Sequence, residues 1–209
     1  LLGGLIGCDY VEAPYKELAN KGAAGTDIAR TDTIRVPVQQ NVLIEDFTGF
    51  RCGNCPQASD IADGLAATYK GQVFPMKIHV TQVFAAPTTE YPYDYRTEEG
   101  NTIDATFGIS SGGIPTGMVN RKVINGNRNI RKEAWGATAQ SLMAEAPGAV
   151  IRIHPKYDAD KKQLNAQVQI NYLKSGSLDE RLVLYVLEDE IESVQIDYRK
   201  STKAEPYTH

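Results

Sequence analysis

Two cysteines, Cys52 and Cys55, carry the clearest chemistry in the chain, within Phe47-Thr48-Gly49-Phe50-Arg51-Cys52-Gly53-Asn54-Cys55-Pro56. A C-x-x-C pair supports thiol–disulfide exchange or supplies half of a zinc site. Zinc would need two further thiolate or imidazole ligands, and the three histidines, His79, His154 and His209, stand at no finger-like spacing. No metal is therefore expected. For exchange, Cys52 must lie at the mouth of a helix, where the first backbone N–H groups are unpaired. Those donors and the positive end of the helix dipole favour a thiolate. Sites of this kind lower a cysteine pKa from about 8.5 to roughly 3.5–7.5. Cys55, about one helical turn further on, is positioned to close a short disulfide and release whatever Cys52 has attacked. Pro56 falls in the first helical turn, where its missing N–H costs little.

Such a pair needs a strand before it and a helix after it. Residues 41–47 form an apolar run that reads as a strand buried on both faces, as parallel sheets give. After the pair, Ala58, Ile61, Ala62, Leu65, Ala66 and Tyr69 repeat at helical spacing. Residues 72–80 read as a second parallel strand, so residues 41–80 make a βαβ unit. Asp46 shares a strand face with Val42 and Ile44, where an unpaired carboxylate is expensive. A carboxyl group held there has a raised pKa and suits general acid–base work near neutral pH. The alternative is that Asp46 turns to solvent at the strand end and Glu45 is the buried member. His79, on the neighbouring strand, reads as a core histidine rather than a catalytic one.

Residues 81–101 are rich in proline and tyrosine, a length of loop that is usually functional or mobile. Its aromatics either cover the cysteine pair or contact a partner, or the insertion packs on its own tyrosines. A short helix is expected over Thr102–Phe107, and a hairpin from Thr116 to about Ile124, turning at Asn120-Arg121 or Asn125-Gly126. Ile130–Ala146 reads as a last helix, stopped by Pro147-Gly148. From Ala149 the period changes to two. Leu164, Ala166, Val168, Ile170 and Tyr172 alternate with polar residues, and Arg181–Glu188 and Val194–Tyr198 promise further strands. Pro37 demotes the alternating stretch 32–38 to an edge strand.

Composition narrows the function classes. A net charge of -4 with scattered basic residues gives no support for a nucleic-acid partner. No apolar run approaches the roughly 20 residues that span a bilayer. Three cysteines are too few for a disulfide scaffold. The third, Cys8, ends Leu5-Ile6-Gly7-Cys8, which resembles the lipobox of bacterial lipoproteins. The chain has no initiator Met, so residues 1–8 read as the end of an export signal, with Cys8 as the lipidation site. The alternative is a stray cysteine in a frayed segment. A lipid at Cys8 would anchor the protein without spanning the membrane, and residues 9–32, small and polar, would be its tether.

Two resemblances add to this. Gly113-Ile114-Pro115-Thr116 resembles the segment in which the thioredoxin family places a cis proline opposite its C-x-x-C. That likeness implies that the Ile114 backbone and Pro115 lie beside Cys52 and dock an extended substrate segment. It also implies that Asp46, six positions before Cys52 as in thioredoxin, moves the proton of the second cysteine. Arg51 departs from the pattern. It stands where thioredoxin has Trp, so an apolar substrate platform is replaced by a guanidinium that would favour the Cys52 thiolate.

More widely, the chain resembles the Bacteroidetes lipoprotein family named after outer membrane protein 28. The match rests on Glu45-Asp46-Phe47-Thr48-Gly49, Cys52-Gly53-Asn54-Cys55-Pro56, Ile78-His79 and Tyr95-Arg96-Thr97. It continues through Ile114-Pro115-Thr116-Gly117, Asn120-Arg121, Leu187-Glu188-Asp189 and Gln195. The resemblance implies an α/β thioredoxin-like domain over residues 33–147, then an all-β sandwich-like domain over 148–209 with too few strands to be complete. It implies an outer membrane lipoprotein of the cell envelope. No cofactor is expected beyond a redox-active Cys52–Cys55 disulfide. Two functions follow: thiol–disulfide exchange on the thiols and disulfides of exported proteins, or a non-catalytic surface binding or assembly role in which the disulfide is structural.

Overall fold

The computed structural model describes residues 38–176, 180–200 and 204–208. The expected signal end, Cys8, the tether and most of the stretch 32–38 lie outside the described residues. The fold is mixed α/β, built from small sheets and several helices, with no closed barrel among the described residues.

The run feeding the cysteines is strand β1, Val42–Thr48, and the helix leaving them is α1, Cys55–Thr68. Strand β2, Val73–His79, pairs parallel with β1, so the βαβ unit is present. Strand β3, Thr116–Val119, pairs antiparallel on the other side of β1, giving the order β2-β1-β3. Pro75 is tolerated in β2 because β2 is an edge strand.

Alternation along β1 sorts its side chains to two faces. Val42 and Ile44 join Ala58 and Ala62 of α1, with Trp135, Ala139 and Leu142 of helix α4, Trp135–Met143. Phe47 joins Met76, Ile78, Met118 and Ile109 on the opposite face, with Ile103 of helix α3, Glu98–Phe107. The central strand is therefore covered on both sides, as its continuous apolar character requires.

Several elements depart from expectation for local reasons. Helix α3 starts at Glu98 rather than Thr102, because the Thr97 hydroxyl accepts from the Gly100 N–H and Glu98 and Glu99 fill the first turn. Part of the expected loop is also helical, as α2, Gln82–Ala85, capped by Thr81. Helix α4 is shorter than expected at its start. Ile130 exchanges both backbone hydrogen bonds with Gly117, at 2.9 and 3.1 Å, so residue 130 belongs to a β-bridge. Both candidate turns are used: Asn120 and Arg121 have φ of 47° and 50°, and Asn125 and Gly126 have φ of 51° and 83°.

After α4, β4 (Ala149–Asp158) pairs with β5 (Gln163–Tyr172), and β6 (Glu192–Ile196) pairs with β7 (Ala204–Thr208), both antiparallel. The expected strand over Arg181–Glu188 does not form. That stretch is held by a side chain instead. Tyr185 packs against the Phe47 cluster, and its hydroxyl accepts a hydrogen bond from Arg121. Arg121 also grips Glu45 through two guanidinium nitrogens, at 2.8 and 3.0 Å. Glu45 is fully buried, and this charge-assisted pairing is what makes its burial tolerable.

Candidate functional site

Strand β1 delivers the chain to a tight turn at Gly49–Asn54, and α1 takes it away. Cys52 donates its N–H to the Gly49 carbonyl, and Cys55 donates to the Cys52 carbonyl at 3.0 Å, so the turn winds directly into the helix. Helix α1 begins at Cys55, with Pro56 in its first turn. Cys52 and Cys55 form a disulfide.

The opposing segment arrives from the loop before β3. The Ile114–Pro115 peptide bond is cis. The Ile114 carbonyl oxygen lies 3.9 Å from the Cys52 sulfur, so Cys52 and Ile114 are brought together. Arg51 points elsewhere: its guanidinium donates to the Gln82 carbonyl at 2.9 Å and lies over the Phe50 ring. His79 is buried with its ring 5.3 Å from that of Tyr95. Among the described residues no group of three or more His, Cys, Asp or Glu is arranged to hold a metal ion.

Asp46 faces α1, on the same side of β1 as Val42 and Ile44. Its carboxylate is fully buried and accepts from the Ser59 hydroxyl at 2.8 Å, while Oδ1 has no hydrogen-bond partner among the described residues. Burial raises its pKa from the usual 3.8 to about 7, against the opposing pull of the Ser59 hydrogen bond and Lys77. Ser59 stands one helical turn after Cys55 on α1, so the carboxyl group lies behind the cysteine-bearing turn of the helix. Glu45, on the other face, is also buried, so both acidic residues of β1 are interior.

The larger surprise is a cover. The C-terminal hairpin lies along the cysteine turn: Ile196 donates to the Phe50 carbonyl at 2.8 Å and Tyr198 to the Gly53 carbonyl at 3.0 Å. The buried Gln195 amide donates to the carbonyls of Cys52 (3.2 Å) and Gly49 (3.3 Å). The Tyr198 ring rests on Gly53 so closely that a β-carbon there would meet it at 2.3 Å. Arg199 pins the end of this segment to Asp60 of α1 and to Asp197. The result is that Cys52 is only 3% exposed and Cys55 is fully buried. The tyrosine-rich loop adds to the wall. Tyr91 and Tyr95 contact Phe50 edge-on, and Tyr95 is hydrogen-bonded to Ser193 of β6.

In the sequence Gln195 stands out only through the family resemblance, and Tyr198 and Ser59 carry no site assignment. Gln195 and Tyr198 reach the motif from more than 140 positions away, which no local pattern signals. Ser59 had a faint one: a hydroxyl on the helix that packs against the strand of Asp46.

No helix among the described residues is long and apolar enough to cross a membrane. No curated protein matches the chain. Among solved structures it is similar to a crystal structure of a protein from Agrobacterium tumefaciens, at 16% identity and a TM-score of 0.40. That match covers 59% of this chain and 55% of the other, so the chain spans about half the length of that solved chain, a likeness too distant to bear on chemistry. Residues 101–209 match the model of a family described as outer membrane protein Omp28. The matched span holds β3, α4 and both C-terminal hairpins, including Gln195 and Tyr198, and leaves out Cys52 and Cys55. With more than half of its residues matched by that model, the chain belongs to the outer membrane protein Omp28 family.

Proposed function

We propose that this chain is an outer membrane lipoprotein of the cell envelope whose Cys52–Cys55 pair performs thiol–disulfide exchange with exported proteins. In this reading residues 33–147 are a thioredoxin-like unit, residues 148–209 belong to a β-sandwich, and a lipid at Cys8 is the anchor. The supporting observation is Asp46. A fully buried carboxyl group with a pKa near 7, behind the helix that carries Cys55, is costly for a fold and unnecessary for a disulfide that only staples a turn.

The steps follow from the positions. With the pair reduced, the Cys52 thiolate attacks one sulfur of a substrate disulfide, and the other leaves as a thiolate. Ile114 and Pro115 hold the substrate segment beside Cys52. Cys55 then gives its proton to the Asp46 carboxylate and attacks the Cys52 sulfur. The second substrate thiolate departs, two electrons having passed from the cysteine pair to the substrate. The reverse sequence oxidises a substrate dithiol, and the direction depends on reduction potential. In either direction the segment carrying Gln195 and Tyr198 must lift for Cys52 to be reached.

That same cover favours a second reading, a non-catalytic binding or assembly lipoprotein in which Cys52–Cys55 is a retained staple. Trapping separates the two. A chain bearing Cys8→Ser and Cys55→Ser, mixed with a peptide disulfide, is expected to accumulate a mixed disulfide through Cys52. Its Cys52→Ser counterpart should accumulate far less. If neither variant traps the peptide over hours, the exchange reading fails and the staple stands.

A further inference from the structure

Asp46 can serve an exchange reaction repeatedly only if its proton has a route to water, and the carboxyl group is sealed from solvent. Among the described residues one polar contact leads out of it, the Ser59 hydroxyl at 2.8 Å, itself only 3% exposed. Beyond Ser59 lies Tyr207 of β7, whose phenol is within hydrogen-bonding reach of the Ser59 hydroxyl. Tyr207 is half-buried, stands opposite Ser193 of β6, and has its ring 5.3 Å from the Lys77 ammonium. Lys77 is the β2 register partner of Asp46, so strand pairing and the C-terminal hairpin converge on one spot.

We propose that Ser59 and Tyr207 are positioning residues that form a proton relay, carrying the Asp46 proton between the buried carboxyl group and solvent. This rests on the exchange role proposed for Cys52–Cys55. In one passage the protonated Asp46 gives its proton to the Ser59 oxygen. The Ser59 proton moves to the Tyr207 oxygen, and the Tyr207 proton goes to water. No electrons move, both hydroxyl groups are neutral before and after, and rotation of the hydroxyls resets the chain. When Asp46 is ionised the donors point inward, from Tyr207 to Ser59 to the carboxylate. When it is protonated they point outward.

The surroundings suit this role. Burial and neighbouring Asp63, Asp60 and Asp46 push the Tyr207 phenol up to about 12, against the Ser59 hydrogen bond, so it remains a protonated donor at neutral pH. The charged groups facing Asp46 are Lys77 of β2, paired with Asp63 at 3.2 Å, and Asp63 of α1 itself. Asp60, also near Tyr207, is paired with Arg199. A purely structural Ser59 needs only its bond to Asp46, whereas here a second hydroxyl continues the chain toward the surface.

The test uses the full chain with Cys8→Ser and has two independent readouts. Carbon-13 NMR of the Asp46 carboxyl group, with the disulfide intact, reports how fast its proton exchanges with water near pH 7. Stopped-flow exchange with a peptide disulfide, taken across pH, reports the reaction. Tyr207→Phe keeps the ring over Lys77 and removes the last hydroxyl. It should slow both the carboxyl proton exchange and the exchange reaction about tenfold or more. Ser59→Ala should do the same, and Ser59→Thr should restore both rates. Unchanged carboxyl proton exchange in Tyr207→Phe overturns the relay, even if the wild type reacts normally with the peptide. A wild type that fails to react at any pH overturns the exchange role and the relay with it.

Discussion

Asp46→Asn is expected to stabilise the protein by about 4 kcal/mol at pH 8 while changing little at pH 4. The sign follows from linkage. In the unfolded chain Asp46 loses its proton near 3.8, but in the folded protein it holds it until about 7. Between those values the folded state binds more protons than the unfolded state, so stability falls as pH rises through this window. Above pH 7 the fold carries a buried, ionised carboxylate whose main cost is lost hydration, only partly offset by Ser59 and Lys77. Asn removes the ionisation and can still meet the Ser59 hydroxyl. Urea unfolding of the two proteins at pH 4 and pH 8, with the disulfide intact, measures this difference. A gap that is the same at both pH values would mean that Asp46 does not titrate near neutrality, and the main support for exchange chemistry would be gone.

Removing the cover should expose the disulfide. The double variant Gln195→Ala, Tyr198→Ala loses two buried amide hydrogen bonds to the Cys52 and Gly49 carbonyls, together with the ring over Gly53. At about 1 kcal/mol for each hydrogen bond, with no gain assigned to the ring, the closed state loses about 2 kcal/mol relative to the open state, whose population rises roughly 30-fold. Reduction of Cys52–Cys55 by a small dithiol should accelerate by a similar factor, because attack requires the open state. The backbone bonds from Ile196 and Tyr198 remain, so the hairpin should stay folded on the domain. An unchanged rate would show that the segment does not control access.

Local pattern was enough to read the parts that local physics controls. The strand, turn and helix around Cys52 and Cys55 follow from an apolar run, a C-x-x-C and a helical repeat, and all three stand close to where the sequence places them. Alternation along β1 put Asp46 on the face of Val42 and Ile44, and it is buried there. Alternation could not show that Glu45 is buried too, because the cation that makes this possible, Arg121, lies 76 positions away. The same blindness hid the cover, since Gln195 and Tyr198 meet the cysteine turn only in three dimensions. At 181–188 apolar alternation promises a strand, but Tyr185 anchors the stretch by its side chain, and exposed Leu182, Leu184 and Val186 join no ladder among the described residues. Ile130 illustrates the converse: expected as the first residue of the last helix, it is claimed by a bridge to Gly117, and the α-helix begins only at Trp135.

Whether Cys52–Cys55 is an exchange site or a staple is decided by its reduction potential. The chain with Cys8→Ser would be equilibrated against glutathione buffers and its free thiols trapped and counted. A working exchange site should give a value between about -120 and -270 mV, reached within the time of the equilibration. A value below roughly -300 mV, or no exchange over hours even with Gln195 and Tyr198 replaced, would mark the disulfide as structural and rule out exchange chemistry.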